Sequence, residues 1–121
     1  MIRILSGFPD AILAISGEGE VTADDFRSVV WPALEAKLKT HKQLSLYYQL
    51  GPDFTGMSLG GMWEDTKLDI AHWNVWRRIA MVSDVPWIAR GMGLIVPLLH
   101  HRVRFFSNAQ ADAARAWLES A

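Results

Sequence analysis

At 121 residues the chain has room for one domain, residues 1–121, which buries about two-thirds of its unfolded surface and needs no covalent staple. Cysteine is absent, which excludes a disulfide framework, a thiolate zinc site and a thiolate nucleophile, and fits a reducing compartment such as the cytoplasm. A net charge of −1 argues against a general nucleic-acid binder.

The opening MIRILSGFPD pairs a short apolar run, Ile2–Leu5, with a turn at Gly7-Phe8-Pro9-Asp10. A secretory leader needs an unbroken apolar core there, so none is expected. Ala11–Ser16 follows, closed by Gly17-Glu18-Gly19, and the two runs read as an antiparallel hairpin. Thr22 opens a helix as its cap, with Asp24 and Asp25 in the first turn, where the helix dipole favours anions. Phe26, Val30, Leu34 and Leu38, with Val29 and Ala33, define its buried stripe, and Pro32 should interrupt it near Trp31.

Leu44–Leu50 is a strand pattern that Gly51-Pro52 is expected to stop, leaving residues 54–61 as an apolar, glycine-rich loop. Ser58 is placed to cap a helix with Leu59, Met62, Thr66, Ile70 and Trp73 on one face, and Glu64, Asp65, Lys67 and Asp69 largely elsewhere. Arg78–Val82 reads as a strand, and Pro86 fits the first turn of a short helix carrying Trp87 and Ile88. Gly91–Leu99 is the most apolar stretch, yet no run reaches the ~20 residues of a spanning helix. Val103–Phe106 is the last strand, and Ser107-Asn108-Ala109-Gln110 has capping-box form before a helix that turns Ala113, Ala114, Trp117 and Leu118 inward. The order ββαβαβαβα predicts an α/β domain with a mostly parallel sheet and an antiparallel start.

Charge and aromatics are uneven along this order. Residues 1–69 hold 6 Lys/Arg against 10 Asp/Glu, whereas residues 70–104 hold Arg77, Arg78, Arg90, Arg102 and Arg104 against Asp84 alone. Six tryptophans exceed what a core this size needs, which points to a pocket wall, a dimer interface or a membrane-facing rim.

The early Asp24-Asp25-Phe26 helix start, LGGMWEDTKLDIAHW at residues 59–73, Arg78–Val82 with Asp84 and Trp87, Val103-Arg104-Phe105-Phe106, and Ala113 through Leu118 together resemble the SpoIIAA-like family. These are small bacterial relatives of STAS domains, with a similarity to the CRAL-TRIO lipid-binding fold. The resemblance implies a STAS-like sheet with helices packed mainly on one face, one helical side of the sheet exposed, and frequent dimerisation, so that a homodimer is expected. It implies no particular activity. Anti-sigma antagonists of the wider STAS group carry a phosphorylated serine after the third strand, and Ser58 falls near that place, in an apolar context.

Catalytic constellations do not assemble. Asp65, Asp69 and His72 share a helix face but lack further ligands in order, and the adjacent His100 and His101 point different ways in any regular element. Gly56-Met57-Ser58-Leu59-Gly60 matches the letters of a hydrolase elbow, which needs a strand directly before the serine and a helix directly after; the strand is expected to end five residues early. The sequence therefore favours a non-enzymatic binding module, without cofactor or metal, for a small apolar or lipid-like ligand. Its expected wall is Phe54, Met57, Met62, Trp63, Trp73, Trp76, Trp87 and Met92, with Arg77, Arg90 and Arg102 reading an anionic group. Leu94, Ile95, Leu98, His100 and Arg102 are the expected membrane-facing residues of a cytoplasmic protein held transiently at an anionic inner-membrane surface. The alternative is a STAS-type protein-interaction domain switched at Ser58.

Overall fold

The structure, a computed structural model, describes residues 1–66, 75–84 and 103–120. Among the described residues five strands stand in chain order across one sheet: β1 (Ile2–Ile4), β2 (Ile12–Val21), β3 (Leu44–Met57), β4 (Trp76–Ser83) and β5 (Val103–Phe106). β1 is antiparallel to β2 and each later pair is parallel, as the alternation of strand and helix patterns predicts. Between β2 and β3 lie α1 (Ala23–Asp25), a π-helical turn (Phe26–Val30) and α2 (Trp31–Leu38). After β3 comes α3 (Leu59–Thr66), and after β5 come a 3₁₀ turn (Asn108–Gln110) and α4 (Ala111–Glu119).

Register sorts the side chains onto two faces. Ile15, Tyr48, Met81 and Phe105 stand in one row, and Ala14, Tyr47, Ala80 and Arg104 in the next, pointing the opposite way. The first face packs on Phe26, Val30 and Leu34, each contributing about 2 kcal/mol by burial. The second face packs on Ala114 and Leu118 of α4, with Leu5, Phe8, Phe106 and Trp117 around them. Cover on both sides explains why β2 starts as an unbroken buried run, Ile12 through Gly17, rather than an alternation.

Pro32 does interrupt its helix, through a change of ladder. The Trp31 N–H bonds back five residues to the Phe26 carbonyl, and Pro32 then lies in the first turn of α2, where its missing N–H costs little.

Gly51-Pro52 does not stop β3. Pairing steps from Leu50 opposite Gly17 to Phe54 opposite Gly19, so residues 51–53 are accommodated as a bulge. The pairing with β4 ends at Leu50 and Ser83, so among the described residues Pro52 interrupts no ladder on that side, and β3 continues beside β2. The expected loop at residues 54–61 is therefore the end of a strand and the start of α3.

Two inward assignments also change. Ala113 is exposed although Ala114 and Leu118 are buried, because the α4 stripe is narrower than its alanine content suggests. On α3 the polarity is inverted: Leu59 is exposed and Glu64 is buried.

Candidate functional site

The carboxyl ends of β2 and β3 converge where two connections leave the sheet. Thr22 caps α1 in a reciprocal box, its N–H donating to Asp25 Oδ2 at 2.8 Å and its Oγ1 accepting from the Asp25 N–H at 3.4 Å. Partial burial pushes the Asp25 carboxyl up, but the Thr22 backbone and hydroxyl donors and the chain's terminal ammonium outweigh it and hold it below its ordinary 3.8.

One connection over, Ser58 N–H donates to the Val21 carbonyl at 2.9 Å, tying the α3 start to the end of β2. Its hydroxyl accepts from the Gly61 N–H at 3.0 Å, so the cap expected of Ser58 is present. Gly61 is required here, since a Cβ would lie 2.5 Å from the Val21 carbonyl oxygen. At Gly60 a Cβ would meet the Ala23 Cβ at 3.0 Å. The two glycines let α3 press against the turn that opens α1.

That docking turns Leu59 and Trp63, one helical turn apart, outward at 87% and 64% exposure. Glu64 turns inward at 4% and accepts a hydrogen bond from the Trp31 indole N–H at 2.9 Å, with Arg27 Nε 3.9 Å from its other oxygen. The buried carboxylate binds α3 to α2 through a charge-assisted hydrogen bond. The sequence pattern sets Glu64 largely off the apolar face of the helix; Trp31, 33 residues away, is what draws it in.

Of the sequence-predicted wall, the described residues place Phe54, Met57, Trp63, Trp76 and Arg77. Trp76 is at 0% exposure inside the main core with Phe54, so both fill space rather than line it; β4 begins at Trp76 and points the indole at the helical face. Met57 packs partly buried on the same core. Arg77 lies at the far end of the sheet, donating from Nη2 to the Leu118 and Ser120 carbonyls at 2.7 and 3.0 Å. Among the described members of that set, Trp63 stands at the Ser58 surface with a large exposed area. The side chain of Met62, together with Trp73, Trp87, Arg90, Met92, Leu94, Ile95, Leu98, His100 and Arg102, lies outside the described residues, as do Asp69, His72 and His101.

The setting of Ser58 comes nearer to a hydrolase elbow than the sequence pattern suggests. β3 ends at Met57 and α3 starts at Leu59, so Ser58 does stand between strand and helix. An elbow serine is strained, yet among the described residues no non-glycine has positive φ. The Ser58 hydroxyl is committed to its helix cap. Among the described residues the histidine is His41, 2.6 Å from Asp10 before the start of β3, a strand's length away. No group of three metal-ligating side chains gathers among the described residues.

Fold and surface define a small α/β domain of STAS-like architecture, with a capped serine where the third strand gives way to a helix. The chain belongs to the SpoIIAA-like family, whose model matches residues 12–119. The crystal structure of an uncharacterized protein from the DUF3478 family of Shewanella loihica PV-4, described as having a SpoIIAA-like fold, superposes with a TM-score of 0.71. It is 24% identical, with 98% of this chain and 92% of that one covered. That likeness concerns the fold. A comparison with curated proteins gives no match. Among the described residues no helix is long and apolar enough to cross a membrane.

Proposed function

We propose that this domain is a non-enzymatic recognition module of the STAS type, docking a protein partner on the surface formed by Ser58, Leu59 and Trp63. The observation that carries this reading is the exposed Leu59–Trp63 pair beside a serine that caps their own helix. Small domains rarely leave large apolar side chains adjacent and uncovered without a use. Phosphorylation of Ser58 would replace the capping hydroxyl with a dianion at the start of α3, changing both the α3 cap and the charge a partner meets.

The test is a photo-crosslinking residue at position 63 in the native cell, with position 115 as control, followed by titration of the identified partner in purified form. Trp63→Ser and Ser58→Asp should each weaken binding at least about tenfold, the effect of losing one anchor residue. A partner bound equally well by both variants, or crosslinking equally at both positions, overturns the reading.

The apolar-ligand reading stands second, supported by the same exposed Trp63 and by the arginine surplus of residues 70–104. Co-sedimentation with anionic vesicles that Trp63→Ser abolishes, with no partner crosslinked, would favour it. A second copy of the chain is included among candidate partners and is read by sedimentation velocity.

A further inference from the structure

A cleft of about 310 Å³ opens at the other end of the sheet, where β2, β3 and β4 begin. Its size is at the lower end of the range for small-molecule sites. Ile12, Leu44 and Leu118, all buried, form its floor, and Gln43 and Arg77 stand exposed at its rim. The chemistry of that rim is asymmetric. Arg77 is anchored by Nη2 alone, which donates to both the Leu118 and the Ser120 carbonyls. Its Nε and Nη1 have no hydrogen-bond partner among the described residues, so a fixed guanidinium presents spare donors beside an apolar floor.

The acids around the cleft are already engaged. Asp10 is held by His41 at 2.6 Å and Lys37 at 3.6 Å, and the His41 hydrogen bond followed by the Lys37 charge lowers its pKa. Glu119, on the cleft wall, pairs with Arg115 at 3.5 Å. Lys39 and Lys42 add positive charge on the connection that leads into β3. The local field therefore favours an anion, and the floor favours a hydrocarbon.

We propose that this cleft binds a small amphipathic monocarboxylate, its apolar body on Ile12, Leu44 and Leu118 and its carboxylate accepting from the spare N–H groups of Arg77. A free organic acid and the carboxyl terminus of a peptide share this chemistry. The inference is independent of the Ser58 surface, which lies at the opposite end of the strands.

The experiment is a proton–nitrogen correlation NMR titration with 4-phenylbutyrate, with 4-phenylbutyramide as its uncharged match, and with a short Leu-Phe-ended peptide as free acid and as amide. Saturable shifts of the Ser45 and Leu118 amides and of the Arg77 Nε–H are expected for a carboxylate. They should be at least about tenfold weaker for the matching amide and in Arg77→Gln, the loss expected for one charged hydrogen bond. Ala11→Leu adds bulk to the cleft lining while keeping the Arg77 side chain and its bonds to the end of α4, and should abolish the shifts even if Arg77→Gln loosens the helix end. Saturation by the acid or by the peptide acid identifies the source. Equal response to acid and amide, shifts that survive Ala11→Leu, or no saturation at millimolar concentration overturns the proposal.

Discussion

The two ends of the sheet are built from the same parallel strands and yet are opposites. Around the carboxyl ends the described side chains include Glu18, Glu20, Asp24, Asp25, Asp53 and the buried Glu64, answered by Arg3 and Arg27. Around the amino ends stand Lys37, Lys39, Lys42, Arg77 and Arg78, answered by Asp10 and Glu119. Part of this follows from helix electrostatics. Acids collect where helices start and cations where they finish, and parallel strand–helix units put helix starts at one end and finishes at the other. Arg77 and Arg78 illustrate the second case, donating to the last carbonyls of α4. The lesson is that one end is organised by glycines and caps around an exposed apolar pair, and the other by arginines around a cleft.

The contrast can be broken at several strengths. Gly61→Ala should be the most damaging change, costing about 3 kcal/mol in urea denaturation, because the new methyl meets the Val21 carbonyl and α3 must lift away. Glu64→Ala comes next at about 2 kcal/mol, since it removes the acceptor of the partly buried Trp31 indole; Glu64→Gln, which keeps an acceptor, should lose clearly less. At the amino end Arg78→Ala should cost about 1 kcal/mol, read as faster hydrogen exchange in the last turn of α4, through loss of its bonds to Trp117 and Ser120 and its position 5.2 Å over the Trp117 ring.

The acid limb of stability sharpens the same comparison. Asp25 has a lowered folded-state pKa, so its contribution is complete above its ordinary 3.8 and is lost as pH falls through the lower folded value. Asp25→Asn should flatten the decline of melting temperature below pH 4. Trp63→Ser should have the smallest effect on folding, within about 0.5 kcal/mol, because the indole is exposed. A large loss there would mean that Trp63 serves the fold rather than recognition.

Much of the framework was readable from residue order. The hairpin, the parallel strands, the Thr22 cap, the Ser58 cap and the Ser107–Gln110 box depend on neighbours within a few positions, and local chemistry announces them. The site was less legible. Phe54 and Trp76 read as a pocket wall because composition reports how much aromatic surface exists and not which strand face it lands on. Glu64 read as lying off the apolar face because its partner comes from another helix. The strand end at Met57 was hidden because Gly51-Pro52 is a stop signal unless a bulge and the end of the β4 ladder absorb it.

The sequence by itself determined the element order, the mostly parallel sheet and the family resemblance, since periodicity, caps and turn residues act over short range. Only the tertiary structure decided which of the aromatics fill the core, that Leu59 and Trp63 face outward while Glu64 turns in, and that Arg77 guards a cleft rather than joining the Ser58 surface. Those outcomes depend on strand register and on contacts between residues distant in the chain, which no local pattern encodes.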